Sequence, residues 1–233
     1  MRSPNITIES ILAAAARVPT TGAGSRALPA FQITEDNRTV FPKAGYVSRL
    51  ASGRLARVPN LQMQTDHESG FYRISALARG TVLPESSWAP FEHETFTCPL
   101  AADAKGRSKL NMTSYRARYM ADWDNLRLFH QPEAPYDSGA YHGSDINMVV
   151  GDTEGVSGIA STAEEVRLTE TMQKAWAAFA TDPSDGLTSV AGWPKYQPGS
   201  ETLILLGYNT TSAVKFVDPT IYDSACQDLD LVF

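Results

Sequence analysis

The chain has 233 residues, of which 42% are hydrophobic and 20% are charged, a composition typical of a folded globular protein rather than a disordered one. Its net charge of −6 argues against a nucleic-acid partner, because binding to phosphates requires clustered lysine and arginine residues. No stretch approaches the ~20 consecutive apolar residues that span a bilayer, so we expect no membrane span.

The first predicted element is a helix from about Thr7 to Val18. The same stretch is a poor signal peptide, because Glu9 interrupts an apolar core that is shorter than the ~7–15 residues of such signals. A loop rich in Gly, Pro and Ser is predicted from Val18 to Pro29, and a short strand near Thr39 to Phe41. We therefore expect a plain helix at the start and no credible signal peptide.

Two strands are predicted in the middle of the chain, from Asn60 to Asp66 and from Thr113 to Met120. In the second strand tyrosine and alanine alternate with arginine, and a period of two is typical of a strand. A long polar loop from Asp122 to Tyr141 follows and leads to His142.

The clearest helix of the sequence begins with the capping box Ser161-Thr-Ala-Glu164 and ends at Asp182-Pro183. Four of its apolar residues have the i, i+3, i+4, i+7 spacing of one buried face: Met172, Ala175, Trp176 and Phe179. An apolar run from Thr202 to Tyr208 predicts a strand that pairs with Val214 to Val217. The mixed order of helices and strands predicts an α/β fold.

His142 lies among small residues, in the stretch Ser138–Ser144. Such residues let another part of the chain approach an imidazole closely, so His142 is a candidate general base, and a satisfied structural histidine is the alternative. The pattern G-x-S-x-G, which would present a nucleophilic serine, does not occur in the 233 residues. Its nearest approach is Gly155-Val-Ser157-Gly158, where Ile159 replaces the last glycine.

Glu68 follows the strand predicted at Asn60 to Asp66. A carboxylate just past a strand end can accept a hydrogen bond from Nδ1 of a histidine and fix its tautomer, whereas a solvated loop glutamate is the alternative. The sequence contains no C-x-x-C, H-E-x-x-H, G-x-G-x-x-G or P-loop pattern, so we expect neither a metal ion nor a cofactor.

Two features indicate a secretory protein. The first is a set of four N-x-[ST] sequons, at Asn5, Asn37, Asn111 and Asn209. The second is the even number of cysteines, since Cys98 and Cys226 are compatible with one disulfide. From the residues alone, two buried free thiols are an equally good interpretation.

Several short motifs occur together in a specific order: Val58-Pro59, Asp66-His-Glu68, Phe96-Thr-Cys98-Pro99, Gly139-Ala-Tyr-His142-Gly-Ser-Asp145, Trp176 to Phe179, Asp182-Pro183, Trp193-Pro194-Lys-Tyr196 and Cys226. In that order and at those intervals the chain resembles the C-terminal part of the type-B carboxylesterase family, the cholinesterase and fungal lipase relatives, from about Ala30 onward.

The resemblance implies the C-terminal portion of an α/β-hydrolase fold, with an incomplete central sheet and flanking helices, as a single partial domain over residues 1–233. Glu68 corresponds to the catalytic acid, and His142 to the catalytic base, of a Ser-Glu-His triad that hydrolyses carboxylic esters without a cofactor. Cys98 and Cys226 correspond to positions that the family commonly bridges. The resemblance and the sequons together imply an extracellular protein.

The chain departs from the family in two respects. The strand before the acid reads Asn60-Leu-Gln-Met-Gln64, and burying such amides costs ~1–3 kcal/mol each unless they are hydrogen-bonded. The nucleophile and the glycine-rich oxyanion loop belong to an N-terminal half of the family that these residues do not contain. We therefore expect part of a carboxylic ester hydrolase that carries the acid and the base of the triad but not the serine, which a separate N-terminal half is one way to supply. The alternatives are an inactive fragment and a cholinesterase-like binding module.

Overall fold

The computed structural model describes residues 6–17, 35–129 and 135–226, and the chain divides into two compact units, residues 1–46 and 47–233. The first unit contains α1 (Ile8–Ala15), which confirms the predicted N-terminal helix, and the Thr7 hydroxyl caps it by accepting a hydrogen bond from the N–H of Ser10. The next helix is α2 (Lys43–Ala51). The loop predicted from Val18 to Pro29 lies outside the described residues, and the single domain over residues 1–233 stays a prediction.

The strand predicted near Thr39 to Phe41 is wrong. The Asp36 carboxylate accepts hydrogen bonds from three successive backbone N–H groups, those of residues 38 to 40, and from the Thr39 hydroxyl. This local alternative uses the backbone donors that a sheet would need, and it holds the segment in a turn.

The other four predicted strands are confirmed, and they form one sheet of order β1-β2-β3-β4. Their bounds are Asn60–Thr65 for β1, Ser114–Tyr119 for β2, Leu203–Leu206 for β3 and Val214–Val217 for β4. The first three strands are parallel, and β4 is antiparallel to β3. Because β1 and β2 are parallel, the loops that follow them leave the sheet at the same edge.

Helices connect the parallel strands. Between β1 and β2 come α3 (Ser69–Ala78), α4 (Glu85–Glu92), a π-helical segment (His93–Thr97) and α5 (Cys98–Lys109). Between β2 and β3 come a 3₁₀ turn (Asp124–Leu126), α6 (Ser144–Val150), α7 (Thr153–Ser157), α8 (Ala163–Thr181) and α9 (Gly186–Ala191). The described chain ends with α10 (Thr220–Asp223) and a 3₁₀ turn (Ser224–Cys226).

The capping box of α8 lies one residue later than predicted. Thr162 and Glu165 exchange the two hydrogen bonds that the sequence assigned to Ser161 and Glu164. The Ser161 hydroxyl is instead hydrogen-bonded to that of Thr153 at 2.7 Å. The two candidate boxes differ by one position in a run of capping residues, and this contact with α7 decides between them.

The predicted apolar face of α8 packs on one side of the sheet. Met172 and Ala175 are fully buried there, and Trp176 and Phe179 pack against the same core. The strand residues of this core alternate along β2, where Tyr115, Ala117 and Tyr119 are all fully buried. The period of two therefore identified the core face of β2 correctly.

The opposite face of β1 is polar and is covered by α5. Gln62 donates a hydrogen bond to Asp103, and Gln64 donates one to the Thr97 hydroxyl at 2.9 Å. The side-chain oxygens of both glutamines are buried without a hydrogen-bond partner among the described residues. The cost that the sequence predicted for buried amides is thus only partly offset.

On the same face, Arg116 of β2 is 1% exposed and donates two hydrogen bonds to Asp223 of α10, at 2.6 and 2.8 Å. Such a bidentate pair compensates a guanidinium that is removed from water. The sequence analysis missed this pair, because the alternation in β2 indicates which face a residue occupies and not whether that face is covered.

We expect Asp223→Asn to lower the free energy of unfolding by about 3 kcal/mol, since it leaves the buried Arg116 charge without a counter-ion. Urea unfolding of the variant and the parent measures this difference. Asp66→Asn is the matched control, because Asp66 pairs with Arg118 but is 38% exposed, and such pairs contribute about 1 kcal/mol at most. Equal losses from the two substitutions would contradict the assignment.

A disulfide joins Cys98, the first residue of α5, to Cys226, three residues after α10. The pairing implied by the family resemblance is therefore confirmed. The disulfide lies close to the buried Arg116–Asp223 pair. Thr97, the residue before Cys98, accepts a hydrogen bond from Arg116 through its carbonyl at 3.4 Å. The disulfide connects two elements that cover the polar face of the sheet.

Candidate active site

Glu68 lies in the turn between β1 and α3, at the C-terminal edge of the sheet. Its side chain is 4% exposed, and its Oε1 accepts a hydrogen bond from the backbone N–H of Thr65 at 2.7 Å. This contact folds the carboxylate back over the strand end and fixes its direction. Glu68 is therefore a buried, oriented acceptor rather than a solvated loop residue.

The second oxygen of Glu68, Oε2, lies 2.6 Å from Nδ1 of His142. The two residues are 74 positions apart in the chain, and β1 and β2 bring them together because both following loops leave the same edge of the sheet. The His142 ring is 45% exposed, and its bond to Glu68 is its one hydrogen bond among the described residues. The sequence analysis thus selected two side chains that are in contact.

The small residues around His142 allow two backbone segments to meet. The carbonyl of Ala140 accepts a hydrogen bond from the N–H of His67, beside the acid. At Gly139, which has φ +60°, an added Cβ would lie 2.5 Å from Nδ1 of His67, and at Gly70 it would lie 2.0 Å from the carbonyl oxygen of Ser138. Glycine is needed at both contacts for the histidine loop to reach the acid turn.

We expect Gly70→Ala to separate the two segments and so to disrupt the His142–Glu68 hydrogen bond. The readout is the chemical shift of the His142 ring, which should move towards that of an unpaired histidine. Gly80→Ala is the control for general destabilisation, since φ is +71° there and alanine is strained, but an added Cβ meets no atom within 4 Å. An unchanged His142 signal in Gly70→Ala would contradict the packing argument.

Aromatic rings surround one side of the imidazole. The ring centroids of Phe96, Tyr72 and Phe71 lie 5.2, 5.6 and 6.3 Å from that of His142. Phe96 belongs to the π-helical segment between α4 and α5, an irregularity that is frequent at functional sites. In the sequence Phe96 is notable only as part of the motif Phe96-Thr-Cys98-Pro99, because a change of helical pitch has no recognised local signal.

Glu68 also determines the charge state of the imidazole. Its hydrogen bond is the largest cause that raises the pKa of His142 above 6.5, while burial opposes it and the Asp145 charge adds a smaller increase. Burial in turn raises the pKa of the Asp145 carboxyl. A base with a raised pKa is a stronger proton acceptor, and it functions only at a pH above that pKa.

We expect NMR titration to place the pKa of His142 above 6.5 and Glu68→Gln to lower it. Asp145→Asn should lower it less, because Asp145 acts through space and makes a smaller contribution. The pKa of His142 should fall in both variants, because both carboxylates stabilise the charged imidazolium and removing either one favours the neutral ring. A pKa that rises in Glu68→Gln would refute the electrostatic assignment.

The described residues contain no group of three or more His, Cys, Asp or Glu side chains that could hold a metal ion. Within those residues, no helix has the length and apolar character that would let it cross a membrane. The site itself presents an oriented imidazole: Nδ1 of His142 is hydrogen-bonded to a carboxylate, and Nε2 makes no hydrogen bond with described groups.

Comparison with known proteins identifies the relatives of this arrangement. The chain is 26% identical over 184 residues to a chlorogenic acid esterase of Aspergillus niger, and 29% identical over 207 residues to secreted lipase 5 of Gibberella zeae. Over most of its length the chain is therefore similar to a fungal esterase and a fungal lipase. The alignments cover 73% and 81% of the chain, but only 34% and 36% of the two relatives. No protein-family model matches the chain.

Solved structures of esterases show the same fold. Two PNB esterase structures match with a TM-score of 0.57 at 19% and 20% sequence identity, the second being a thermophilic form. The matches cover 77% and 78% of this chain and 40% of each esterase. The predicted partial α/β-hydrolase fold is therefore confirmed, and the chain spans about a third of the length of the curated homologues it matches.

Proposed function

We propose that the chain contributes the acid, Glu68, and the base, His142, of a serine hydrolase that cleaves carboxylic esters. The observation that carries the proposal is the 2.6 Å contact between the buried Glu68 carboxylate and Nδ1 of a partly exposed histidine. In this scheme His142 takes the proton of a serine hydroxyl as the serine attacks the ester, and later donates it to the leaving alcohol. The esterase and lipase homologues support this reaction class.

The nucleophilic serine would come from polypeptide outside these 233 residues, either in a longer chain or in a separate one. Two observations support this. The sequence contains no G-x-S-x-G, and β1 has no further strand beside it among the described residues. An unpaired edge strand presents N–H and C=O groups that another strand can pair with. A segment that pairs there would lie next to the acid turn.

We further propose an extracellular location and N-linked glycosylation. One homologue is named a secreted lipase, and three of the four sequon asparagines, Asn37, Asn111 and Asn209, are exposed. Asn5, the fourth, lies outside the described residues. The disulfide also suits an oxidising compartment.

The test is hydrolysis of 4-nitrophenyl acetate by the chain alone and together with a segment that carries the serine motif. We expect background rates from the chain alone, and turnover with a burst of 4-nitrophenol once both parts are present. Turnover by the chain alone that His142→Ala abolishes would contradict the external serine. If the completed protein and its His142→Ala variant hydrolysed the ester at equal rates, the proposed hydrolase function would be refuted, and a binding module with this fold would be favoured.

A further inference from the structure

A second carboxylate, that of Glu92, holds the turn that contains the acid. Ser69 directly follows Glu68 and is the first residue of α3, and its backbone N–H donates a hydrogen bond to Oε1 of Glu92 at 2.8 Å. Glu92 is the last residue of α4 and is half-buried, whereas Ser69 is fully buried. A backbone N–H that is removed from water needs an acceptor within the protein, and Glu92 provides it for Ser69.

Glu68 lies at the start of α3, where a carboxylate is attracted to the N–H groups of the first helical turn. Those N–H groups have no acceptor within the helix, so they compete with His142 for the acid. In the described chain Glu68 makes no capping bond with α3. Its Oε1 accepts from the N–H of Thr65, and its Oε2 contacts His142. The acid is therefore kept away from the helix that it begins.

The packing of α4 on α3 determines where Glu92 lies. Trp88 and Phe91 of α4 are 1% and 7% exposed, and they form one apolar cluster with Ala76 of α3. The ring centroid of Phe91 is 4.9 Å from that of Tyr72, one of the rings beside the imidazole. The contacts that surround the imidazole thus also direct Glu92 towards the acid turn.

We propose that Glu92 is a positioning residue of the hydrolase, which holds the acid turn through the N–H of Ser69 and so keeps Glu68 directed at His142. Without Glu92 this buried N–H lacks an acceptor, and the turn must rearrange to pair it with Glu68 or with water. Either rearrangement moves the acid away from Nδ1 of the imidazole. The catalytic consequence rests on the function proposed above, whereas the effect on the imidazole does not.

The first test measures the pKa and the tautomer of His142 by NMR in the 233-residue chain, so it needs no serine. Glu92→Ala should lower this pKa towards 6.5, as Glu68→Gln does, and should move the proton of the neutral ring from Nδ1 to Nε2. Glu92→Gln keeps an acceptor oxygen and should retain both values of the parent. Glu94→Ala is the matched control, because it removes the same charge from an exposed residue of the adjacent π-helical segment.

Glu92→Asp separates position from charge and disturbs the fold less than alanine does. It keeps the carboxylate but shortens the side chain by one carbon, so the pKa of His142 should fall as in Glu92→Ala. If Glu92 only capped α3, Glu92→Ala would lower the free energy of unfolding without changing the pKa or the tautomer of His142. That result, or an equal fall of the pKa in Glu92→Ala and Glu92→Gln, would overturn the proposal.

The second test uses the completed hydrolase. Glu92→Ala should lower kcat about 10²-fold and leave KM close to that of the parent, because a displacement of about 1 Å in a catalytic group has an effect of this size. Glu92→Gln and Glu94→Ala should keep most of kcat. If the pKa of His142 fell in Glu92→Ala while the completed parent hydrolysed no ester, the positioning role would be upheld and the hydrolase function refuted.

Discussion

In the completed hydrolase, His142→Ala should lower kcat by about 10⁶-fold and Glu68→Gln by about 10⁴-fold. The histidine is the larger loss, because without it no group takes the serine proton. The glutamine keeps the shape of Glu68 but can donate a hydrogen bond to Nδ1, which favours the wrong tautomer of the imidazole. Steady-state kinetics with a 4-nitrophenyl ester measure both effects.

His93→Gln is the control for this experiment. His93 lies at the start of the π-helical segment, and among the described residues its side chain makes no hydrogen bond or ion pair. Its replacement should leave kcat close to that of the parent. If Glu68→Gln retained full kcat while His142→Ala did not, the base would be correct and the acid would lie elsewhere.

Removing the disulfide by Cys98→Ser with Cys226→Ser should lower the free energy of unfolding by about 4–5 kcal/mol. The bridge closes a loop over a sequence separation of 128, and in the chain-entropy model so long a loop in the unfolded state accounts for a loss of this size. Because single domains are stable by about 5–15 kcal/mol, the loss is a large fraction of the total. Urea unfolding monitored by tryptophan fluorescence gives the change.

The disulfide and the Arg116–Asp223 pair should depend on each other. The bridge holds the residues after α10 against the start of α5, and Asp223 is the last residue of α10. Asp223→Asn should therefore cost less in the protein without the disulfide than in the parent. A double-mutant cycle measures this coupling, and strictly additive losses would show that the two features act independently.

Local sequence patterns predicted the four strands of the sheet, the N-terminal helix and α8, but none of the helices between β1 and β2. The alternation along β2 and the apolar run of β3 are properties of short segments, and both strands lie where the patterns indicate. Two predictions were wrong for local reasons. The Asp36 carboxylate competes with a sheet for the backbone donors of residues 38–40, and the capping box of α8 depends on a contact between Ser161 and Thr153.

The sequence by itself determined the four strands of the sheet and the main helix and, through its resemblance to a family, it selected Glu68, His142 and the bridged cysteines. Only the tertiary structure decided the contact between Glu68 and His142, the burial of Arg116 and the position of Phe96 beside the imidazole. The physical reason is distance along the chain. Each of these contacts joins segments that are far apart in sequence, and parallel strand pairing and helix packing bring them together.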